Sequence, residues 1–248
     1  MKKFLFKLKI FIYNYFYWNN TYFYPYKFDS LATRANLSFL NNENFIHYNN
    51  TSVQFTGRDY RFYFRLHQAL WCAENSLNKN GVFVELGTGK GYIFSAISEF
   101  VKKQKIVKDI FLFDTFLPFK VDVNTGKQNN KQIRSDFYAN DYISVKEKFS
   151  KYEFVNVIQG RCPEILTKYF RSETSITISF LHIDLNYHEA EIESLIHLWN
   201  FFEKGTIILL DDYANPHRNL QNQAFNEFFS QRGHAILTTG SGQGIVLI

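Results

Sequence analysis

A glycine-rich turn at residues 82–92, VFVELGTGKGY, is the feature that most restricts how this chain can fold. The apolar run at its start predicts a strand, and the apolar residues of YIFSAISEF after it recur at helical spacing. Gly87, Gly89 and Gly91 allow backbone torsions and close approaches that side chains would prevent. Because a strand, a glycine loop and a helix in this order expose the first amides of the helix, the stretch predicts the ligand-binding turn of a βαβ unit.

The remainder of the chain alternates between apolar runs and amphipathic stretches, which indicates a parallel sheet covered by helices on both faces. The last residues, GHAILTTGSGQGIVLI, predict an antiparallel hairpin. We therefore predict an α/β, Rossmann-like class I methyltransferase sheet, mostly parallel, with seven strands and a C-terminal antiparallel hairpin, flanked by helices. The predicted strands are Val82–Leu86, Ile110–Asp114, Val155–Gln159, Ile176–Asp184, Thr206–Asp211, Ala235–Thr239 and Gly244–Ile248. The predicted helices are Tyr92–Lys103, Tyr142–Tyr152, Pro163–Phe170, His188–Glu203 and Gln221–Gln231, with one more within residues 58–77 and an irregular stretch at 41–52.

Acidic residues stand at the carboxyl ends of the predicted strands, where open α/β sheets bind their ligands. Asp114 lies 23 residues after Gly91, a spacing at which an acid commonly receives ribose hydroxyls. The loop reads E-x-G-x-G-x-G from Glu85, whereas a dinucleotide fingerprint would need glycine in place of Tyr92. This pattern predicts S-adenosylmethionine, whose charged amino-acid tail needs an acid rather than a pyrophosphate cradle.

Asp184, Asp211 and Asp212 end the fourth and fifth predicted strands and form a second acidic group. Carboxylates this close would raise one another's pKa unless a cation lies between them, and Mg²⁺ is the natural hard ion. Such an ion would hold substrate oxygens and acidify the hydroxyl to be methylated. The alternative is that Asp211 or Asp212 caps the following segment and that no metal binds.

Charge and cysteine content limit the partners. The net charge of +5 is concentrated near the N-terminus rather than in a groove-like cluster, so we predict no nucleic-acid partner. Cys72 and Cys162 form no CxxC pattern, which predicts free packing thiols and a cytoplasmic location.

Two segments have open interpretations. The N-terminal MKKFLFKLKIFIYNYFYW is too short and too charged to span a bilayer and has no cleavage signal. It is expected either to pack on the domain or a partner subunit, or to make a peripheral membrane-surface contact through its basic and aromatic side chains. The polar segment 117–141 is expected to be either a lid over the site or a plain surface insertion.

The motifs FVELGTGKG, FLFDTFLPF, VIQGRCPEIL, FLHIDLNYHEAEIESL and KGTIILLDDYANP resemble, in order and spacing, those of the macrocin-type sugar O-methyltransferases. That family modifies deoxysugars of macrolide and aminocoumarin antibiotics, and its relatives occur in surface-glycan clusters, which points to polysaccharide biosynthesis. The resemblance begins at about Asp59 and implies a methyltransferase domain at 59–248 after an N-terminal basic-aromatic segment at 1–58. It departs from the family at Asn186, where a second Asp is usual, and at DTFLP, where DSFEGLP is usual.

The resemblance implies S-adenosylmethionine as donor, Mg²⁺ held by Asp184, Asp211 and Asp212, and Asp184 as the general base. It also implies a sugar or glycan precursor as acceptor and a homo-oligomer. The predicted cofactor-binding residues are Glu85, Gly87, Thr88, Gly89, Gly91, Asp114, Thr115, Gln159, Gly160 and Asp184.

The predicted function is therefore Mg-assisted O-methylation of a sugar hydroxyl. One alternative is a metal-dependent catechol- or phenol-type O-methyltransferase, and another is a non-catalytic S-adenosylmethionine-binding scaffold in a glycan-assembly complex. Tyr213 is expected to line the pocket, and Glu191 is expected on the polar side of a helix without a catalytic role. His182, His188 and His217 are expected to be structural or solvated, with a substrate contact as the alternative.

Overall fold

The structure is a computed structural model, and it describes residues 26–29, 31–117, 141–172 and 174–248. Residues 1–25 of the N-terminal basic-aromatic segment and nearly all of the predicted lid at 117–141 therefore lie outside the described residues.

The described strands are β1 (Tyr26–Phe28), β2 (Leu31–Thr33), β3 (Val82–Leu86), β4 (Ile110–Asp114), β5 (Val155–Gln159), β6 (Ile178–Ile183), β7 (Phe202–Leu210), β8 (Ile236–Thr238) and β9 (Gly244–Leu247). The helices are α1 (Glu43–Thr56), α2 (Tyr63–Ser76), α3 (Tyr92–Gln104), α4 (Tyr142–Phe149), α5 (His188–Leu198) and α6 (Asn219–Ser230). Three short 3₁₀ helices span Ser38–Asn41, Glu164–Lys168 and Trp199–Phe201.

Seven strands form the main sheet in the order β5-β4-β3-β6-β7-β9-β8. The first five are parallel, and β9 pairs antiparallel with both β7 and β8. This arrangement confirms the predicted Rossmann-like fold with its C-terminal antiparallel hairpin. A separate small hairpin, β1–β2, precedes it.

Two apolar cores lie on opposite faces of the sheet because successive strand residues point in opposite directions. Phe83 and Leu209 belong to the core under α1–α4, whereas Val84 and Ile208 belong to the core under α5 and α6. Both faces of the central strands are therefore dry, which explains why these strands read as continuous apolar runs.

The expectation of an irregular stretch at residues 41–52 is wrong, because α1 occupies most of it. The Asn42 side chain caps this helix by accepting hydrogen bonds from the amides of Asn44 and Phe45. The buried side chains recur at helical spacing and pack on the core that α3 shares: Phe45, Tyr48, Ser52 and Phe55. The apolar period outweighs the weak helix propensity of the asparagines between them.

Two predicted helices are also shorter than expected. Residues 202 and 203 begin β7 instead of ending the helix that starts at His188, because α5 stops at Leu198 and a 3₁₀ turn reverses the chain. The segment predicted as the helix Pro163–Phe170 is a 3₁₀ helix over Glu164–Lys168.

Within the described ranges, none of the helices is long and apolar enough to cross a membrane. Cys72 and Cys162 are both buried and free, as predicted.

Substitution of Phe180 tests the packing of the core under α1–α4. Its ring is fully buried, edge-on to Phe83 at 5.5 Å and parallel to Phe94 at 6.0 Å between centroids. We expect Phe180→Ala to lower the free energy of unfolding by about 3–5 kcal/mol in urea denaturation, because the cavity cannot close within a packed sheet. Leu237→Ala on the exposed edge strand β8 is the control, with an expected change within about 0.5 kcal/mol. Equal losses in the two variants would contradict this description of the core.

Candidate active site

A cleft opens at the carboxyl ends of β3, β4, β6 and β7, the edge at which open α/β sheets bind ligands. It brings together most of the site residues predicted from sequence with several that were not. Its lining is Tyr60, Phe62, Arg65, Glu85, Gly87, Thr88, Gly89, Lys90, Tyr92, Ile93, Asp114, His182, Asp184, Asn186 and Asp211.

The glycine loop follows β3 and passes directly against the end of β6. Gly87 has φ +94°, and a Cβ added to it would lie 2.0 Å from the backbone carbonyl oxygen of Asp184. Gly91 has φ +82°, and its Cβ would lie 2.7 Å from the Phe149 ring. Gly89 has φ +52°, but a Cβ there would meet nothing within 4 Å, so its missing side chain leaves open space at the cleft. Two of the glycines are thus required for packing, and the third keeps the loop open to a ligand.

Asp114, at the end of β4, is tied to the glycine loop. Its Oδ2 accepts a hydrogen bond from the Gly89 amide at 2.7 Å, and its Oδ1 accepts one from the Phe116 amide at 2.7 Å. Burial raises the pKa of this carboxyl, and the backbone hydrogen bonds only partly offset that effect. Each oxygen keeps a second lone pair, so the carboxylate can still accept hydrogen bonds from a ligand's hydroxyls.

Four predicted cofactor residues do not line the cleft itself: Gly91, Thr115, Gln159 and Gly160. Gly91 starts α3, and the Gln159 side-chain amide donates to the Thr115 carbonyl at 3.1 Å. Gly160 packs so closely on Ile165 that a Cβ would lie 2.6 Å from its Cγ1. These residues shape the loops beside the cleft.

A buried row of polar side chains crosses the three central strands. His182 Nδ1 lies 3.0 Å from Glu85 Oε1, and its Nε2 lies 3.6 Å from Asp211 Oδ1. Burial alone would lower the pKa of His182, but the nearby Asp211 and Glu85 carboxylates raise it to about 10. His182 thus lies between the two acids of this row.

Asp184 lies just beyond β6 and faces the cleft. The side-chain amide of Asn186 donates to its Oδ1 at 3.0 Å and so helps to position the carboxylate. Burial, followed by the negative charges of Asp211 and Asp212, raises the pKa of Asp184 well above the ordinary carboxyl range. A carboxylate with a raised pKa is a stronger base, so the position suits proton abstraction.

The structure does not support the prediction of Mg²⁺ at Asp184, Asp211 and Asp212. Arg65 and Gln243 hydrogen-bond the two carboxylate oxygens of Asp211, and Asp212 accepts a hydrogen bond from Asn215 at 3.2 Å. No three His, Cys, Asp or Glu side chains in the described residues are arranged as ligands of one metal ion. The cationic side chain between these aspartates is the arginine of α2, which sequence reasoning did not anticipate.

A second buried acid, Glu191, corrects another expectation. It is fully buried on α5 and accepts hydrogen bonds from the amides of Leu185 and Asn186 and from the Gln221 side chain at 2.9–3.2 Å. Burial and the nearby Asp212 raise its pKa to about 8. Glu191 therefore holds the turn that carries Asp184 and Asn186 and is not part of an exposed polar face.

The remaining candidate residues, Tyr213, His188 and His217, do not line the cleft. Tyr213 is buried and donates to Asn226 on α6 at 2.7 Å, so the prediction that it lines the pocket is wrong. His188 pairs with Glu189 at 3.0 Å, and the His217 side chain is exposed.

Sequence reasoning missed Arg65, Arg218 and the aromatic wall of Tyr60, Phe62 and Tyr92. The rings of Tyr60 and Phe62 stack at 5.6 Å, and that of Tyr92 meets Tyr60 edge-on at 5.2 Å. The available signal for Arg65, Tyr60 and Phe62 was the dense run RDYRFYFR at residues 58–65, which joins basic and aromatic residues and leads into α2.

The family model described as a methyltransferase domain matches residues 84–213, more than half of the chain. The chain therefore belongs to this methyltransferase-domain family. A search of curated proteins found no match.

Solved structures with the same fold include three methyltransferases. The calicheamicin methyltransferase CalS11 is 16% identical with a TM-score of 0.63, over 90% of this chain and 96% of that one. The O-methyltransferase NovP is 17% identical with a TM-score of 0.59, over 74% and 78% of the two chains. TomG of Streptomyces achromogenes, in complex with S-adenosylmethionine, is 12% identical with a TM-score of 0.51, over 84% and 90%.

Gly87 and Gly89 form a matched pair for testing the loop. We expect Gly87→Ala to destabilise the chain and to abolish S-adenosylhomocysteine binding in isothermal titration, because its methyl group would overlap the Asp184 carbonyl. Gly89→Ala introduces backbone strain without a clash, so its loss of stability should be smaller. If Gly87→Ala unfolds no more easily than Gly89→Ala, the close approach of the loop to β6 is wrong.

His182 gives a pH-dependent prediction. Its pKa is about 10 in the folded chain against 6.5 for the free side chain, so the stability it provides is complete below about pH 6.5 and is lost as the pH rises towards 10. Urea unfolding across this interval should therefore show a steeper loss for wild type than for His182→Gln. The exposed His217→Gln should keep the wild-type slope, and a wild-type slope in His182→Gln would contradict the assignment.

Proposed function

We propose that this chain transfers a methyl group from S-adenosylmethionine to a hydroxyl of a sugar or glycan precursor, with Asp184 as the general base. The observation that carries the proposal is the position of Asp184, which lines the same cleft as the open glycine loop and Asp114. Membership of the methyltransferase-domain family supplies the reaction class.

The donor half of the cleft fits S-adenosylmethionine. Gly89 leaves open space beside Asp114, whose carboxylate keeps lone pairs for ribose hydroxyls. When bound, this donor supplies a methyl group on a sulfonium, and the sulfur keeps the electron pair of the broken carbon–sulfur bond. TomG and an O-methyltransferase of Bacillus cereus, both of this fold, are complexes with S-adenosylmethionine and S-adenosylhomocysteine respectively.

The contribution of the chain to the reaction is alignment and proton removal. Asp184 takes the proton of the acceptor hydroxyl as the oxygen forms its bond to the methyl carbon. Asn186 fixes the Asp184 carboxylate, and Glu191 fixes Asn186 through its backbone amide. Holding the acceptor oxygen in line with the methyl group is expected to supply much of the rate, as for other reactions between two bound groups.

The acceptor half of the cleft is lined by aromatic side chains and by the polar side chains of Asp184 and Asn186. Tyr60, Phe62 and Tyr92 offer ring faces for the carbon–hydrogen face of a sugar, and Asp184 and Asn186 offer hydrogen-bond partners for its hydroxyls. An apo structure of CalS11, described as a TDP-rhamnose 3'-O-methyltransferase, has the same fold, with a TM-score of 0.58 and 17% identity. Nucleotide-linked deoxysugars are therefore the first acceptors to test. The Mg²⁺ ion expected from the family resemblance has no part in this proposal, because both carboxylate oxygens of Asp211 already accept hydrogen bonds from Arg65 and Gln243.

Asp184→Asn tests the proposal. With a nucleotide sugar as acceptor, we expect kcat to fall by about 10²–10⁴-fold, because the variant keeps the shape of the side chain but cannot take a proton. Its affinity for S-adenosylhomocysteine, measured by isothermal titration, should stay close to that of wild type.

Asp109→Asn is the matched control, since Asp109 is exposed at the opposite end of β4 and should retain full activity. Near-wild-type turnover of Asp184→Asn would refute the role of the base. Methylation of a catechol but of no sugar would favour the phenol-type alternative, and absence of S-adenosylhomocysteine binding would favour the scaffold.

A further inference from the structure

The buried guanidinium of Arg65 lies among three aspartates from two distant parts of the chain, Asp29 on one side of the sequence and the adjacent Asp211 and Asp212 on the other. Its Nε donates to both carboxylate oxygens of Asp29 at 3.0 Å. Its Nη1 donates to the backbone oxygen of Asp211 at 3.1 Å and to the Asp211 carboxylate, and it lies 3.6 Å from Asp212 Oδ1. Only 12% of the Arg65 side chain is exposed. A guanidinium therefore lies where the carboxylates of β7 converge.

The second oxygens of the same carboxylates also have protein donors. Asp211 Oδ1 accepts from Gln243 at 2.7 Å and lies 3.6 Å from His182 Nε2. Asp212 Oδ2 lies 3.6 Å from Arg218 Nη2. Asp29, Asp211 and Asp212 are thus each paired with an arginine.

This arrangement opposes a divalent ion for two physical reasons. Mg²⁺ requires near-octahedral oxygen ligands at about 2.0–2.1 Å, whereas these oxygens are already turned towards N–H donors. A dication in their midst would also be repelled by the Arg65 and Arg218 guanidiniums at short range in a poorly screened environment.

We propose that Arg65 is the resident cation of this centre and that methyl transfer here proceeds without a divalent metal. The guanidinium is permanently charged, and its planar donors suit carboxylates. Asp29, in the turn between β1 and β2, holds its Nε, while Asp211 holds its Nη1. Arg65 also lines the cleft beside Asp184, so its charge lies near the acceptor oxygen and favours the negative charge that develops there as the proton leaves.

Only the catalytic part of this inference rests on the proposed function, so the decisive test is a metal titration that uses neither donor nor acceptor. Mn²⁺ is titrated into the chelator-treated full chain and followed by the EPR signal of the free ion, because Mn²⁺ takes the same carboxylate ligands as Mg²⁺. We expect wild type to leave the free Mn²⁺ signal unchanged. Arg65→Gln removes the charge and leaves Asp29, Asp211 and Asp212 undercompensated, so this variant should take up Mn²⁺.

Two further variants make the comparison specific. Arg65→Gln/Asp211→Asn should lose the Mn²⁺ uptake again, and Arg171→Gln, which removes an exposed arginine, should behave as wild type. Uptake by wild type that Asp211→Asn abolishes would overturn the proposal, as would a folded Arg65→Gln that takes up none. If Arg65→Gln does not fold, the wild-type titration decides the question.

Turnover provides the second readout. With any accepted substrate, wild type should have the same kcat in excess EDTA as in added Mg²⁺, and loss of most turnover in EDTA would contradict the proposal. Failure of every acceptor would count against the proposed function, whereas the Mn²⁺ titration would still decide whether Arg65 fills the cation position.

Discussion

Parallel pairing of β3, β6 and β7 aligns the carboxyl ends of three strands, and the whole site depends on this alignment. Glu85 is in register with His182, and His182 is in register with Leu209, so the chain leaves the sheet at one level in all three places. The backbone of the glycine loop can then approach the carbonyl of Asp184 so closely that Gly87 has no room for a side chain. If one of these strands were paired one residue out of register, the side chains of Glu85 and His182 would no longer lie opposite each other.

Several acids at one edge of a sheet repel one another, and basic side chains from the surrounding elements offset this repulsion. Buried carboxylates are costly unless they are paired, and Glu85, Asp211 and Asp212 each have a basic partner from another element. Arg65 comes from α2, Arg218 precedes α6, and His182 comes from β6 itself. Because these partners are held by hydrogen bonds of their own, the charges are oriented before any substrate arrives, which is the condition for electrostatic catalysis.

The fold could be predicted in considerable detail because its signals are local. The bounds of β3, β4 and β5 agree with the predicted strands, since each is a short run rich in β-branched and aromatic residues. The helix Glu43–Thr56 escaped prediction because its asparagines suggest a loop, although its buried residues have helical spacing. The 3₁₀ turn at Trp199–Phe201 was also not predicted. A short apolar run can either continue a helix or begin a strand, so periodicity does not show where the helix ends.

The amino-acid sequence by itself determined the sheet, its glycine turn and the presence of acids at the strand ends, because these follow from periodicity and from residue types within short segments. Only the tertiary structure decided what neutralises those acids. Arg65 is 36 residues from Asp29 and 146 residues from Asp211, and no spacing rule links the three. Ion pairs act over a few ångströms in space. Whether a cluster of aspartates awaits a metal or already holds an arginine is therefore settled by packing between distant elements.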